Sequence, residues 1–272
     1  IIGGDGGFSL TLKGGRAQEG NPTEGALLTG TVIGGKGDDT IKFESESGIG
    51  RIDLGGGTNT VIVEGYLRKA SSIAASADSD TTLVVMGKDN WGYASEASLS
   101  GTNVGTIDMA ADTNAMEQSV SVDTKTTGLK VVKFDHAQDM LSLKFETREA
   151  SSWQAFADQA NNMKFVVKGA EQGIVMIEGR DKQSLTLNSA NIVGGSLNEL
   201  SWEDRTISID TGGFDTIAHF SGYSGSKETL ALTSAAGAID IKASILTDID
   251  TLSLGGNATS LTVTKGGIAF TE

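Results

Sequence analysis

Short runs rich in Val, Ile, Leu and Thr recur along this chain with centres about ten to twelve residues apart, and turns rich in Gly, Asn or Ser separate most of them. They fall at 40–44, 51–54, 60–64, 82–86, 106–109, 119–122 and 129–134. They resume at 141–145, 163–167, 173–178, 184–188, 206–210, 215–220, 229–233, 238–242, 251–254 and 260–264. Strands this short bury too little surface to stand alone. Their even spacing over 272 residues therefore predicts stacking in a sandwich, a barrel or a β-solenoid. Composition agrees, since 37 glycines, a single proline (Pro22) and few aromatics describe many turns and small side chains.

One segment departs from this rhythm. Trp153, Phe156, Ala157 and Ala160 fall at helical spacing, which predicts a short helix near 151–162, with Trp153 and Phe156 packed on neighbouring strands. Ser151 or Ser152 can cap its start, and Asn161-Asn162 can end it. Residues 65–81 lose alternation among Ala, Ser and Asp, and read as a loop or a poorly formed rung. The polar stretch "DTKTTG" from Asp123 marks a soft boundary. It divides a glycine-rich solenoid at 1–128 from a β-rich continuation or cap at 129–272.

The stretch "GGKGDDTIK", Gly34 to Lys42, sets two carboxylates between flexible glycines and a strand. Glycines permit the tight turn and let carbonyls point inward, because no Cβ obstructs them. Asp39 adds a hard anionic oxygen, and several such oxygens suit calcium. Ile41 then turns into the core. Weaker versions recur. "LGGGTNTVI" from Leu54 places Asn59 at the Asp position, "GGDGGFSLT" from Gly3 places Phe8 there, and "GGFDTI" from Gly212 keeps Asp215. "GGNATSL" from Gly255 keeps only the glycines and a downstream Leu.

Gly34–Lys42 matches G-G-x-G-x-D-x-U-x, the nonapeptide of RTX (repeat-in-toxin) proteins, and the chain resembles that family here. A looser likeness covers 129–233. Exported proteins of this type carry a strand ending in Phe, then D-x-L-x-L, a short aromatic helix and further strands. Here Val131–Phe134 precedes Asp139-Met140-Leu141-Ser142-Leu143, and Asp215–Phe220 precedes a second such run. The resemblance implies an all-β parallel β-solenoid or β-roll with degenerate repeats and one short helix. It also implies ions shared between adjacent coils and type I secretion. The implied metal set is Gly34, Gly35 and Gly37 through carbonyls, Asp39, Asn59 from the next coil, and more weakly Asp38 and Asp215. Calcium is the expected cofactor.

Charge and residue usage exclude several classes. A formal charge of −14 repels phosphate backbones and argues against nucleic acid. With no Cys and only His136 and His219, disulfides, thiolate sites and histidine-rich zinc sites drop out. No uncharged apolar run reaches the roughly 18 residues of a membrane span. The start, Ile1-Ile2-Gly3-Gly4, reads as a processed or trimmed end. Common hydrolase, zinc-protease and nucleotide-binding motifs are missing. Trp202-Glu203-Asp204-Arg205 and Trp91-Gly92-Tyr93 are sugar-platform candidates better explained as packing, and both histidines read as solvated or packed.

The expected role is a secreted or surface-displayed structural protein of surface-layer, matrix or adhesin type, without catalysis. Its expected partners are further copies of itself or a cell-surface polysaccharide. Alternatives are the non-catalytic RTX portion of an exported enzyme, a polysaccharide-acting solenoid enzyme, or a glycan-binding phage or host-cell adhesin.

Overall fold

The computed structural model describes residues 1–13, 26–44, 47–67, 72–87, 95–111, 117–145, 150–179, 184–209, 216–223, 225–234, 238–241, 245–256 and 260–263. Two compact units divide the chain, Ile1–Lys133 and Phe134–Glu272. The fold is an all-β solenoid of stacked parallel strands with one α-helix among the described residues.

In the first unit one sheet runs through Ser9–Lys13, Thr40–Glu44, Thr58–Glu64, Asp80–Met86 and Thr106–Asp108. Thr40 pairs with Thr60, Thr60 with Thr82 and Thr82 with Thr106, so one coil takes about 20 to 24 residues. That is two strand-and-turn intervals of the sequence rhythm. The second sheet starts with Ala26–Ile33 against Ser47–Asp53 and continues through short strands to Ser95–Leu99 and Gln118–Asp123. Residues 65–81, where the sequence leaves a loop or a poorly formed rung open, carry two short strands, Tyr66–Leu67 and Ser72–Ala74. Their Ala and Ser side chains give no apolar alternation, yet Ile73 completes an inward column with Val32 and Ile52.

Because paired residues in parallel strands point the same way, each inward position builds a column. Ile41, Val61, Leu83, Ile107 and Val132 form one such column, each with no exposed surface. Outward positions carry Thr40, Thr60, Thr82 and Thr106, with Lys42 bridging Glu44 and Glu64 at 3.3 and 2.8 Å. Such half-exposed pairs add little stability.

The second unit repeats the principle. Met140–Phe145, Ile174–Gly179, Leu197–Trp202, Ile217–Ser221 and Ile245–Thr247 form its principal sheet. Leu141, Val175, Leu200, Phe220 and Leu246 are its inward column. A further sheet runs through Leu185–Leu187, Thr206–Ile209, Thr229–Ser234 and Thr251–Gly256. The helix, Ala150–Asn161, buries Phe156, Ala157 and Ala160, and Phe156 meets the Phe145 ring edge-on at 4.9 Å. Ser151 and Ser152 fall within its first turn, and their side chains lie outside the described residues. The Trp153 side chain lies outside the described residues. Asn161 caps the neighbouring sheet, its Oδ1 accepting the Thr186 amide at 3.1 Å on the edge strand. A covered edge is protected from stray pairing.

Phe156→Ala empties a closed site against Phe145 and is expected to destabilise the second unit by about 3–5 kcal/mol. Chemical unfolding measures this; a midpoint equal to wild type would contradict the helix packing.

Candidate functional site

Asp39 immediately precedes its strand, and its side chain turns into the corner with no exposed surface. The Phe8 amide of the preceding coil donates to Asp39 Oδ1 at 3.0 Å. The Asp39 amide donates in turn to Asn59 Oδ1 of the following coil at 3.1 Å. Asn59 Nδ2 donates to the Gly56 carbonyl at 3.0 Å and to Thr81 Oγ1 at 3.4 Å. Phe8, Asp39, Asn59 and Thr81 occupy equivalent positions of successive coils, so the corner is a polar column running along the stack. Asp38 lies at the surface and accepts the Thr58 amide at 2.7 Å.

Gly34 makes room for this arrangement. A Cβ there would lie 2.0 Å from Asp39 Oδ2 and 2.3 Å from the Leu54 carbonyl oxygen. Gly37 is equally close-packed, where a Cβ would lie 2.2 Å from the Gly7 nitrogen. The structure therefore brings Gly34, Gly35, Gly37, Asp38, Asp39 and Asn59 into one corner. Asp215 lies outside the described residues.

Asp39 Oδ2 is buried and has no hydrogen-bond partner. The corner's donors are all oxygen, as a hard cation requires, and this oxygen is its uncommitted anionic ligand. The Gly35 carbonyl already accepts the Gly56 amide at 2.9 Å, and Asn59 Oδ1 and Asp38 Oδ1 also hold amides. An ion would take Asp39 first and share the other oxygens. Among the described residues no three His, Asp or Glu side chains converge on a metal position.

Burial pushes the Asp39 carboxyl above its ordinary value. The Phe8 amide, and the Gly35 amide that faces it outside hydrogen-bond geometry, draw it back, while the Asp38 charge adds to the rise. The folded chain thus holds this proton more tightly than the unfolded chain. The stabilisation is complete below the unfolded value of 3.8 and is lost as pH rises through the folded value.

A second corner of the same kind lies away from the glycine motif. Glu228 has no exposed surface, and its Oε1 accepts the Asp204 amide of the preceding coil at 2.9 Å. The Glu228 amide donates to Asp250 Oδ2 of the following coil at 2.9 Å. Glu228 Oε2, like Asp39 Oδ2, is buried without a partner. In both corners a side chain reaches back one coil to cap an amide. The signal is an acid or amide directly before a Thr at or near the strand start: Asp39-Thr40, Asn59-Thr60, Glu228-Thr229 and Asp250-Thr251.

The other sequence candidates resolve differently. Trp202 is fully buried, edge-on to Phe220 at 6.4 Å, so it offers no sugar platform. Arg205 is buried too, donating to the Gly179 carbonyl at 2.9 Å with its guanidinium 5.1 Å over the Phe145 ring. Trp91-Gly92-Tyr93 lies outside the described residues. His136 accepts the Gln138 amide through Nδ1 at 3.3 Å within its own turn. His219 sits on an outer face, with Nε2 2.8 Å from Thr247 Oγ1 and Nδ1 3.8 Å from Glu199. No helix among the described residues is long and apolar enough to cross a membrane. No protein-family model matches the chain, and no curated protein or solved structure matches it.

Gly34→Ala is expected to cost about 1–3 kcal/mol through overpacking. Gly56→Ala, whose Cβ would meet nothing nearer than 3.7 Å, should stay within about 0.5 kcal/mol of wild type. Equal losses in thermal or chemical unfolding would contradict the corner geometry. Asp39→Asn removes the charge while keeping the Phe8 cap. Without added metal it should lose the decline in stability above pH 3.8 that Asp39 contributes, as melting across pH would show.

Proposed function

We propose that the chain is a structural, non-catalytic module of a secreted or surface-displayed bacterial protein, of surface-layer, matrix or adhesin type, stabilised by calcium. The Asp39 corner supports this reading best. A fully buried carboxylate oxygen with no partner, seated against Gly34 in an all-oxygen corner, is a ligand waiting for a proton or a cation. At neutral pH the cation is the stronger claimant, because a bare buried charge is costly. Asp39 would hold the ion directly, with the Gly34, Gly35 and Gly37 carbonyls, Asp38 and Asn59 around it. Bound calcium supplies the positive charge that offsets Asp39 inside the corner.

Such a corner links folding to location. Calcium is scarce in the cytosol and abundant outside the cell, and an ion that binds only the folded state adds its binding free energy to stability. A chain kept loose before export and tightened afterwards suits the type I secretion that the RTX resemblance implies. Within each unit the stacked coils offer sheet faces for self-association or for a cell-surface polysaccharide.

Melting by circular dichroism in chelator and in millimolar calcium, with electron microscopy of the same samples, tests this. At a hundredfold excess over Kd the ion should add about 2.7 kcal/mol. The gain should vanish in Asp39→Asn, and ordered assemblies should depend on calcium. Melting that is identical with and without calcium in wild type would sink the ion. Asp39 would then be a protonated amide cap only.

A further inference from the structure

The principal sheet of the second unit turns one row of side chains outward: Ser142, Met176, Ser201, Ser221 and Thr247, paired strand to strand. Four of the five carry hydroxyls, repeating at the strand spacing of about 4.8 Å. Tyr223 folds across this row. Its hydroxyl donates to Met176 Sδ at 3.4 Å, two strands back from its own coil, so the ring crosses the intervening Ser201 strand. Tyr223 is nonetheless 39 % exposed, one of few exposed large apolar side chains among the described residues.

Two observations mark the row as more than a solvated face. Ser201 is only 3 % exposed, and its hydroxyl, pointing outward between Met176 and Ser221, has no partner. Separately, the ring has an acidic surround. Burial, and then the charges of Glu178, Glu203 and Glu199, hold the Tyr223 hydroxyl above its ordinary pKa. The facing bases are few: Lys144 lies 3.9 Å from Glu178, and His219 lies 3.8 Å from Glu199. An aromatic face amid excess carboxylate attracts a cation, both by charge and through the ring quadrupole.

From this juxtaposition we infer that the Tyr223 face binds an amine-bearing glycan. Glu178, Glu199 and Glu203 would receive the ammonium groups, and Tyr223, lying over the buried Ser201, would stack a sugar ring on its exposed face. The inference rests on the surface-module reading above and names its polysaccharide. A cationic peptide fits less well. Extended peptides gain affinity by pairing with a sheet edge, whereas the backbone groups of these central strands are already committed to their neighbours. Polyanionic glycans are repelled by the same carboxylates.

The full-length chain is titrated by calorimetry with a glucosamine oligomer, its N-acetylated counterpart, polygalacturonate and polylysine. The glucosamine oligomer should bind, more weakly as salt rises. Tyr223→Ala and the double variant Glu199→Gln, Glu203→Gln should each lose about tenfold in affinity while melting like wild type. Equal binding of the N-acetylated oligomer, binding of polylysine alone, or unchanged affinity in both folded variants would overturn the proposal. Its failure is separable from that of the scaffold reading. A chain that still tightens and assembles with calcium but ignores glucosamine sinks this inference alone. Glycan binding without a calcium response sinks the ion alone.

Discussion

Everything in this fold depends on one coil lying in register on the next. Parallel strands satisfy each other's amides and carbonyls only while the coils remain aligned, and the corners are where the ladder breaks off. An amide left unpaired there, away from water, costs free energy comparable to a lost hydrogen bond. The chain meets this with side chains that reach back exactly one coil's width: Asp39 to the Phe8 amide, Asn59 to the Asp39 amide, Glu228 to the Asp204 amide and Asp250 to the Glu228 amide. Each is a local bond with a long-range consequence, because it pins two coils about 20 to 30 residues apart in sequence.

Using carboxylates for these caps has a physical side effect. An asparagine side chain has one acceptor oxygen and an NH2 that donates, whereas a carboxylate brings a second acceptor oxygen that must also be accommodated. In Asp39 and Glu228 that second oxygen is buried and unpaired. An asparagine ladder would carry no such liability, and Asn59 shows that this corner tolerates one. Retaining Asp at position 39 makes the corner responsive to whatever neutralises it, and couples the first coils to their surroundings in a way that apolar stacking alone does not.

The outer faces follow a different logic. Inward columns such as Ile41-Val61-Leu83 are interchangeable in function, since any well-packed aliphatic set would serve. Outward columns are free to vary, and in the second unit they concentrate hydroxyls, acids and an exposed tyrosine. A solenoid separates these tasks because its pleat sends alternate residues to opposite sides. Core packing then draws on the inward positions of a strand and leaves its outward positions to other chemistry.

The sequence by itself determined the stacking of short strands, the helix near 151–162 and the glycine corner at Gly34–Asp39. These are legible because alternation, helical spacing and missing Cβ atoms act locally. The short strands at Tyr66–Leu67 and Ser72–Ala74 were poorly legible, since Ile73 stands between Ser72 and Ala74 with no apolar alternation around it. Trp202 could face a sugar or the interior from sequence alone; pairing with Ile177 turned it inward. Only register decided that Asp39 caps an amide 31 residues away, or that Tyr223 reaches Met176 across an intervening strand. Coil length, and not nearest-neighbour chemistry, sets those meetings, and coil length exists only once the chain has wound.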